Sequence, residues 1–182
     1  MSELETRCLD TFPQWLRTLA TDATDLAEAL SLADLPEAVR RYAAGGLNYL
    51  FKSLDLIPDG IEDLGYLDDA FVLRVAAALA LAESPGAEAK VPKLARLAKE
   101  TALVRELLGG DYARLEAYVR KLKGGAARGR SVDEIVTDAA VRSDFLNEVS
   151  GWARSYEPPG FTRDEKNIIK LRSFLAAKLP SA

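Results

Sequence analysis

The 182 residues carry no histidine, a single cysteine and a formal net charge of −4, with 48% hydrophobic side chains. The lack of histidine excludes catalytic dyads and triads built on imidazole, and the lone Cys8 excludes an intramolecular disulfide, a multi-thiolate zinc site and a CxxC pair. The apolar content supports a sizeable core, and richness in Ala and Leu without alternating strands points to an all-α fold.

Charge divides the chain. Residues 1–90 hold 7 Lys and Arg against 16 Asp and Glu, a net of −9, whereas residues 91–182 hold 17 against 12, a net of +5. The expected organisation is an acidic helical domain over residues 1–84 and a basic helical domain over residues 87–182 docked on it, with the boundary at Glu83-Ser84-Pro85-Gly86. The start, Met-Ser-Glu-Leu-Glu, is acidic without an apolar signal core, and the longest charge-free run is the ten residues from Tyr42 to Phe51. Neither an export signal nor a spanning helix is expected, and the expected location is cytoplasmic.

Taken in order, Ser2-Glu3-Leu4-Glu5 is a capping box that opens a helix carrying Leu4, Cys8 and Leu9. Cys8 reads as a small apolar residue on that helix. Pro13 is expected to interrupt it, with a restart carrying Trp15, Leu16 and Leu19, and Asp22 is expected to cap a further short helix. Asp34-Leu35-Pro36-Glu37 is a start signal for a helix with Val39, Tyr42, Ala43, Leu47, Leu50 and Phe51. Inside it, Gly45-Gly46 costs ~1 kcal/mol per glycine relative to alanine, which a close helix crossing would offset. Beyond Gly86, Leu94 to Leu107 form a stripe ending at Gly109-Gly110, and Tyr112 to Leu122 form another ending at Gly124-Gly125. Arg128 and Arg130 are expected in a mobile basic loop. Ser131 to Glu134 is a second capping box for a helix reaching Trp152, with a break expected near Ser143. Glu157-Pro158-Pro159-Gly160 is a stiff connector, and Thr162 to Glu165 is expected to open the last helix.

The densest stretch runs from Ser53 to Asp69, where eight of seventeen residues are acidic or glycine and the apolar ones are spaced too tightly for a solvated loop. Pro58 lacks an amide hydrogen and has a fixed φ, so the incoming helix is expected to stop near Ser53 or Leu54. Asp55 and Asp59 are expected to accept hydrogen bonds from free turn amides, and Gly65 to supply permissive backbone. Asp68 and Asp69 stand at the positive end of the next helix dipole, which makes them structural caps on this reading.

Asp55-Leu56-Ile57-Pro58-Asp59, followed by Gly65-Tyr66-Leu67-Asp68-Asp69, resembles the signature of the YkvA-like family, a bacterial domain of unknown function. Where that family carries proline two residues before the first aspartate and three after the second, this chain has Ser53 and Glu62. The resemblance spans residues 47–79 and implies a helix-corner-helix hairpin inside a helical bundle, with additional helices C-terminal to it. It implies no established activity, a place beside apolar or membrane-associated segments in some relatives, and no catalytic residue.

Asp55, Asp59, Asp63, Asp68 and Asp69 fall within fifteen residues, and hard cations such as Mg²⁺ or Ca²⁺ take several carboxylate oxygens. The spacing does not match the calcium-binding helix-loop-helix pattern, and capping accounts for at least three of the five. Asp55, Asp59, Asp68 and Asp69 are the candidate ligands if a metal binds. The basic residues Arg114, Arg120, Lys121, Lys123, Arg128 and Arg130 are interleaved with acidic ones and read as a solvated face, so no nucleic acid is expected. The expected function is a non-catalytic binding or adaptor module with a protein partner and no cofactor. One alternative is a divalent-metal-binding protein or metal-dependent enzyme using the corner from Asp55 to Asp69. The other is a peripheral membrane protein using the apolar face of residues 47–79.

Overall fold

The structure is a computed structural model and describes residues 1–52 and 55–182. The chain is all-α apart from one short β-ribbon. Helix α1 spans Glu3–Ser31, opened by the capping box: the Glu5 amide donates to Ser2 Oγ at 3.1 Å and the Ser2 amide to Glu5 Oε2 at 2.8 Å. Contrary to expectation, the helix passes unbroken through Pro13 and Asp22. An interior proline costs about 3 kcal/mol, and here one buried face, with Leu9, Phe12, Trp15, Leu16 and Leu19, runs across it and offsets that loss. Asp22 is a buried ion-pair partner, not a cap.

Helix α2 spans Glu37–Tyr49. Pro36 occupies its N-cap, while Asp34, expected there, turns to Lys90 at 3.0 Å. Gly45 and Gly46 sit at close crossings: a Cβ on Gly45 would lie 3.2 Å from the Leu122 carbonyl carbon, and one on Gly46 3.1 Å from Ala76 Cβ. The helix ends earlier than the sequence suggests, because Leu50, Phe51 and Lys52 donate to Leu47, Asn48 and Tyr49 in tighter, three-residue bonds. Ser53 and Leu54, where the stop was expected, lie outside the described residues.

Helix α3, Leu67–Glu83, is buried over nearly its whole circumference, as its apolar composition demands. Around it lie α1, α2 and α4 (Pro92–Leu108), joined through a one-turn 3₁₀ segment at Ala87–Ala89. Helix α5, Tyr112–Leu122, leads into the ribbon of β1 (Ala126–Ala127) and β2 (Arg130–Ser131), paired antiparallel with Ala126 opposite Ser131. The basic loop is therefore built rather than mobile: Arg128 and Arg130 both pair with Glu148. Helix α6, Val132–Thr137, has its expected capping box at Ser131 and Glu134. The break before α7, Ala139–Ser155, falls at Asp138 and not at Ser143, because Asp138 Oδ1 accepts from Ala140 and Val141 and starts a new helix. Helix α8, Glu165–Lys178, is capped by Asp164 rather than Thr162.

One continuous core takes side chains from α1 through α8. Ion pairs also cross between residues 1–90 and 91–182, among them Arg7 with Glu106, Arg96 with Asp22, and Arg120 with Glu83. No described helix is long and apolar enough to cross a membrane.

Candidate metal centre

The segment between α2 and α3 is pinned by the buried side chains of Leu56, Ile57, Leu64 and Leu67. A tight turn follows Pro58, with the Ile61 amide donating to Pro58 O at 3.0 Å and the Gly65 amide to Ile61 O at 2.9 Å. Gly65 is needed for space and not for a positive φ: a Cβ there would lie 2.1 Å from Asp59 O. The left-handed positions are Asp63 (φ 66°) and Tyr66 (φ 68°), which hold the chain in a sparsely populated region just before α3.

This turn carries Asp59 up to the first turn of α3, where Asp68 and Asp69 are 0% and 2% exposed. Asp59, Asp68 and Asp69 each bring a carboxylate oxygen within 4.8 Å of the others. Asp68 Oδ2 is occupied: the Tyr49 hydroxyl donates to it at 2.5 Å and the Ile57 amide at 3.2 Å. The Tyr49 oxygen in turn accepts the Leu56 amide at 2.8 Å. By contrast, Asp68 Oδ1, Asp69 Oδ2 and Asp55 Oδ1 are buried and meet no donor among the described residues. Unpaired buried carboxylate oxygens are costly, and a native fold holds few of them.

The electrostatics follow from this crowding. Burial first, then the charges of Asp59 and Asp68, push the Asp55 carboxyl up to about 7. Asp69 is raised well above the usual carboxylate range by burial and by Asp68, Asp59 and Asp55. Asp68 is also raised by burial, against the lowering effect of its bonds from Tyr49 and Ile57. Asp59 is surface-exposed as a residue, yet partial burial of its head raises it too. The four carboxylates take part in no ion pair among the described residues, and Lys52, which draws Asp55 down, donates its ammonium to the Tyr118 hydroxyl at 3.3 Å. Beside Asp59 opens a cleft of about 370 Å³, lined also by Gly60, Ile61, Pro159, Phe161 and Thr162.

Asp68 and Asp69 stand in the first turn of α3 as expected, and Asp68 accepts the Ile57 amide of the corner, but neither caps that helix. The α3 N-cap is Tyr66, with no side-chain cap bond. Asp55 takes no turn amide on its buried oxygen, and Asp59 accepts none among the described residues. Asp63 stands apart, accepting the Thr162 amide at 2.6 Å. Of the four candidate ligands, three converge and Asp55 lies close enough to feel two of them. Sequence reasoning passed over Tyr49, which lies outside the motif, and Arg74. The signal for Arg74 was its position as the lone charge between Ala70 and Ala82. It is 0% exposed, bonded to Asp22 at 3.1 Å and Glu100 at 2.7 Å, and 4.0 Å from the Trp15 ring centre.

Of the basic side chains from Arg114 to Arg130, Arg120, Lys121 and Arg128 are exposed, as a solvated face would have them, while the others are partly buried and several bond within the chain. Arg114 donates to the carbonyls of Ala176, Leu179 and Pro180, Arg120 pairs with Glu83 and Glu116, and Lys123 lies over the Tyr42 ring. Cys8 is buried, and burial pushes its thiol up to about 11, so it behaves as an apolar filler.

A family model described as "Protein of unknown function (DUF1232)" matches residues 39–75, about a fifth of the chain and the part that carries α2, the corner and the first half of α3. No curated protein and no solved structure matches.

Proposed function

We propose that this protein is a helical binding module whose acidic corner holds one hard divalent cation. The observation that carries the reading is the convergence of Asp59, Asp68 and Asp69 within 4.8 Å, with buried oxygens on Asp68 and Asp69 that meet no donor. Such oxygens, in a group of like charge, are the donor set that Mg²⁺, Mn²⁺ or Ca²⁺ takes. A bound cation would satisfy the orphaned oxygens and cancel the repulsion among the carboxylates. Asp55 stands in reserve beside the three, close enough to feel the charges of Asp59 and Asp68. On this reading the chain is a YkvA-like bacterial cytoplasmic domain, and the cation locks the corner into a shape that a protein partner reads.

The test is thermal unfolding of the chelator-treated chain with increasing Mg²⁺, Mn²⁺ or Ca²⁺. The expected result is a saturable rise in Tm, corresponding to about 2.7 kcal/mol at a hundred times Kd, that Asp59→Asn combined with Asp69→Asn removes. No rise with any of the three, or a rise that survives the double substitution, would overturn it.

A further inference from the structure

We infer that Tyr49 sets the cation preference of the corner, favouring Mg²⁺ over Ca²⁺ by leaving Asp68 a single oxygen to offer. This rests on the metal-binding reading above. The Tyr49 hydroxyl has one proton. Because its oxygen accepts the Leu56 amide at 2.8 Å, that proton is directed at Asp68 Oδ2, 2.5 Å away. The Ile57 amide donates to the same oxygen at 3.2 Å. Two donors fill the in-plane lone pairs of Oδ2, so Asp68 can ligate only through Oδ1, the oxygen that meets no donor.

Monodentate ligation separates the two ions. Ca²⁺ takes six to eight oxygens and commonly a bidentate carboxylate, whereas Mg²⁺ demands an octahedron of single oxygens at about 2.0–2.1 Å and keeps several waters. Asp68 Oδ1, with one carboxylate oxygen each from Asp69 and Asp59, would supply three single donors and leave the remaining positions of the octahedron to water. Tyr49 is rigid enough to enforce the choice: it is buried in the core with the Tyr118 ring edge-on at 6.1 Å. It touches no cation in this arrangement and acts through Asp68, as a positioning residue.

Calorimetric titration of the full chain with Mg²⁺ and with Ca²⁺ separately tests this, on the wild type and on Tyr49→Phe. The wild type is expected to bind Mg²⁺ at least as tightly as Ca²⁺. Loss of the outer bond in Tyr49→Phe is expected to shift the ratio of the two affinities toward Ca²⁺ by about tenfold or more. A Tyr49→Phe protein that loses affinity for both ions equally would show Tyr49 to be merely structural and overturn the inference. Should the variant not fold, the wild type decides: tighter binding of Ca²⁺ than of Mg²⁺ overturns the inference and leaves the metal-binding reading standing, while binding of neither overturns both.

Discussion

Two groups of buried charge lie at opposite ends of α3's first two turns, and they are finished differently. Around Arg74 every polar atom is answered: its guanidinium donates to Asp22, to Glu100 and to the Ala70 carbonyl, and the second Asp22 oxygen takes Arg96 at 2.7 Å. One turn earlier, Asp68 and Asp69 are as deeply buried, share their space with Asp59, and leave oxygens without a donor. The same core that supplies two arginines to Asp22 supplies no cation within pairing distance of the corner among the described residues. The contrast separates a charge cluster that holds helices together from one whose carboxylates keep buried oxygens without a donor among the described residues.

The largest effect should come from breaking the finished cluster. Arg74→Met takes the buried guanidinium from both Asp22 and Glu100 and leaves Asp22 with Arg96 and the Thr18 hydroxyl, so the loss should approach the about 3–5 kcal/mol that removing one partner of a buried pair costs. Urea unfolding should show a loss of that size with or without divalent cation. The unfinished cluster should respond in the opposite direction: Asp69→Asn removes a carboxyl whose charged form burial and the neighbouring carboxylates disfavour, so metal-free protein should gain stability in urea, more at high pH than at low. A loss of stability in chelator would mean that Asp69 is structural after all.

A third effect lies in the pH dependence. Asp55 is raised to about 7 in the folded chain, against about 3.9 for an unfolded aspartate. Between those values the folded state keeps a proton that the unfolded state has lost, so metal-free stability falls as pH rises through that window. Glu5, Asp34, Glu106 and Glu148 are lowered by their partners and act with the opposite sign, but below the ordinary carboxylate range. The chelated protein should thus melt higher at pH 5 than at pH 8, and Asp55→Asn should reduce the difference without abolishing it, because Asp59, Asp68 and Asp69 are raised as well.

The fold class was legible because helix signals are local. Both capping boxes, at Ser2 and Ser131, form as their spacing dictates, and Gly45-Gly46 marks the close crossing that its cost implied. Pro13 misled because its penalty is local, whereas the face that outweighs it is assembled from the rest of the chain. The aspartates of the corner were visible as candidate ligands, but which of them converge and which oxygens go without a donor was not. Acidic side chains before a helix read as caps, and only the packed structure shows Tyr49 and the Ile57 amide taking one oxygen of Asp68 while its other oxygen goes without. Arg74 was hidden for the same reason, since its partners come from α1 and α4, 52 and 26 residues away in sequence.

The aromatic surroundings of the corner make it an optical device. Tyr49 touches Asp68, Tyr118 stands 6.1 Å from Tyr49, and Tyr66 packs on Tyr156, itself 5.1 Å from Trp152. Light absorbed by these phenols can pass to an emitter seated among the carboxylates. Terbium, a luminescent ion with the same appetite for hard oxygen donors, should glow green when this protein is excited in the tyrosine band. Of the rings nearby, Tyr49 is the one bonded to a carboxylate of the proposed cation site, so Tyr49→Phe should dim the signal more than Tyr66→Phe.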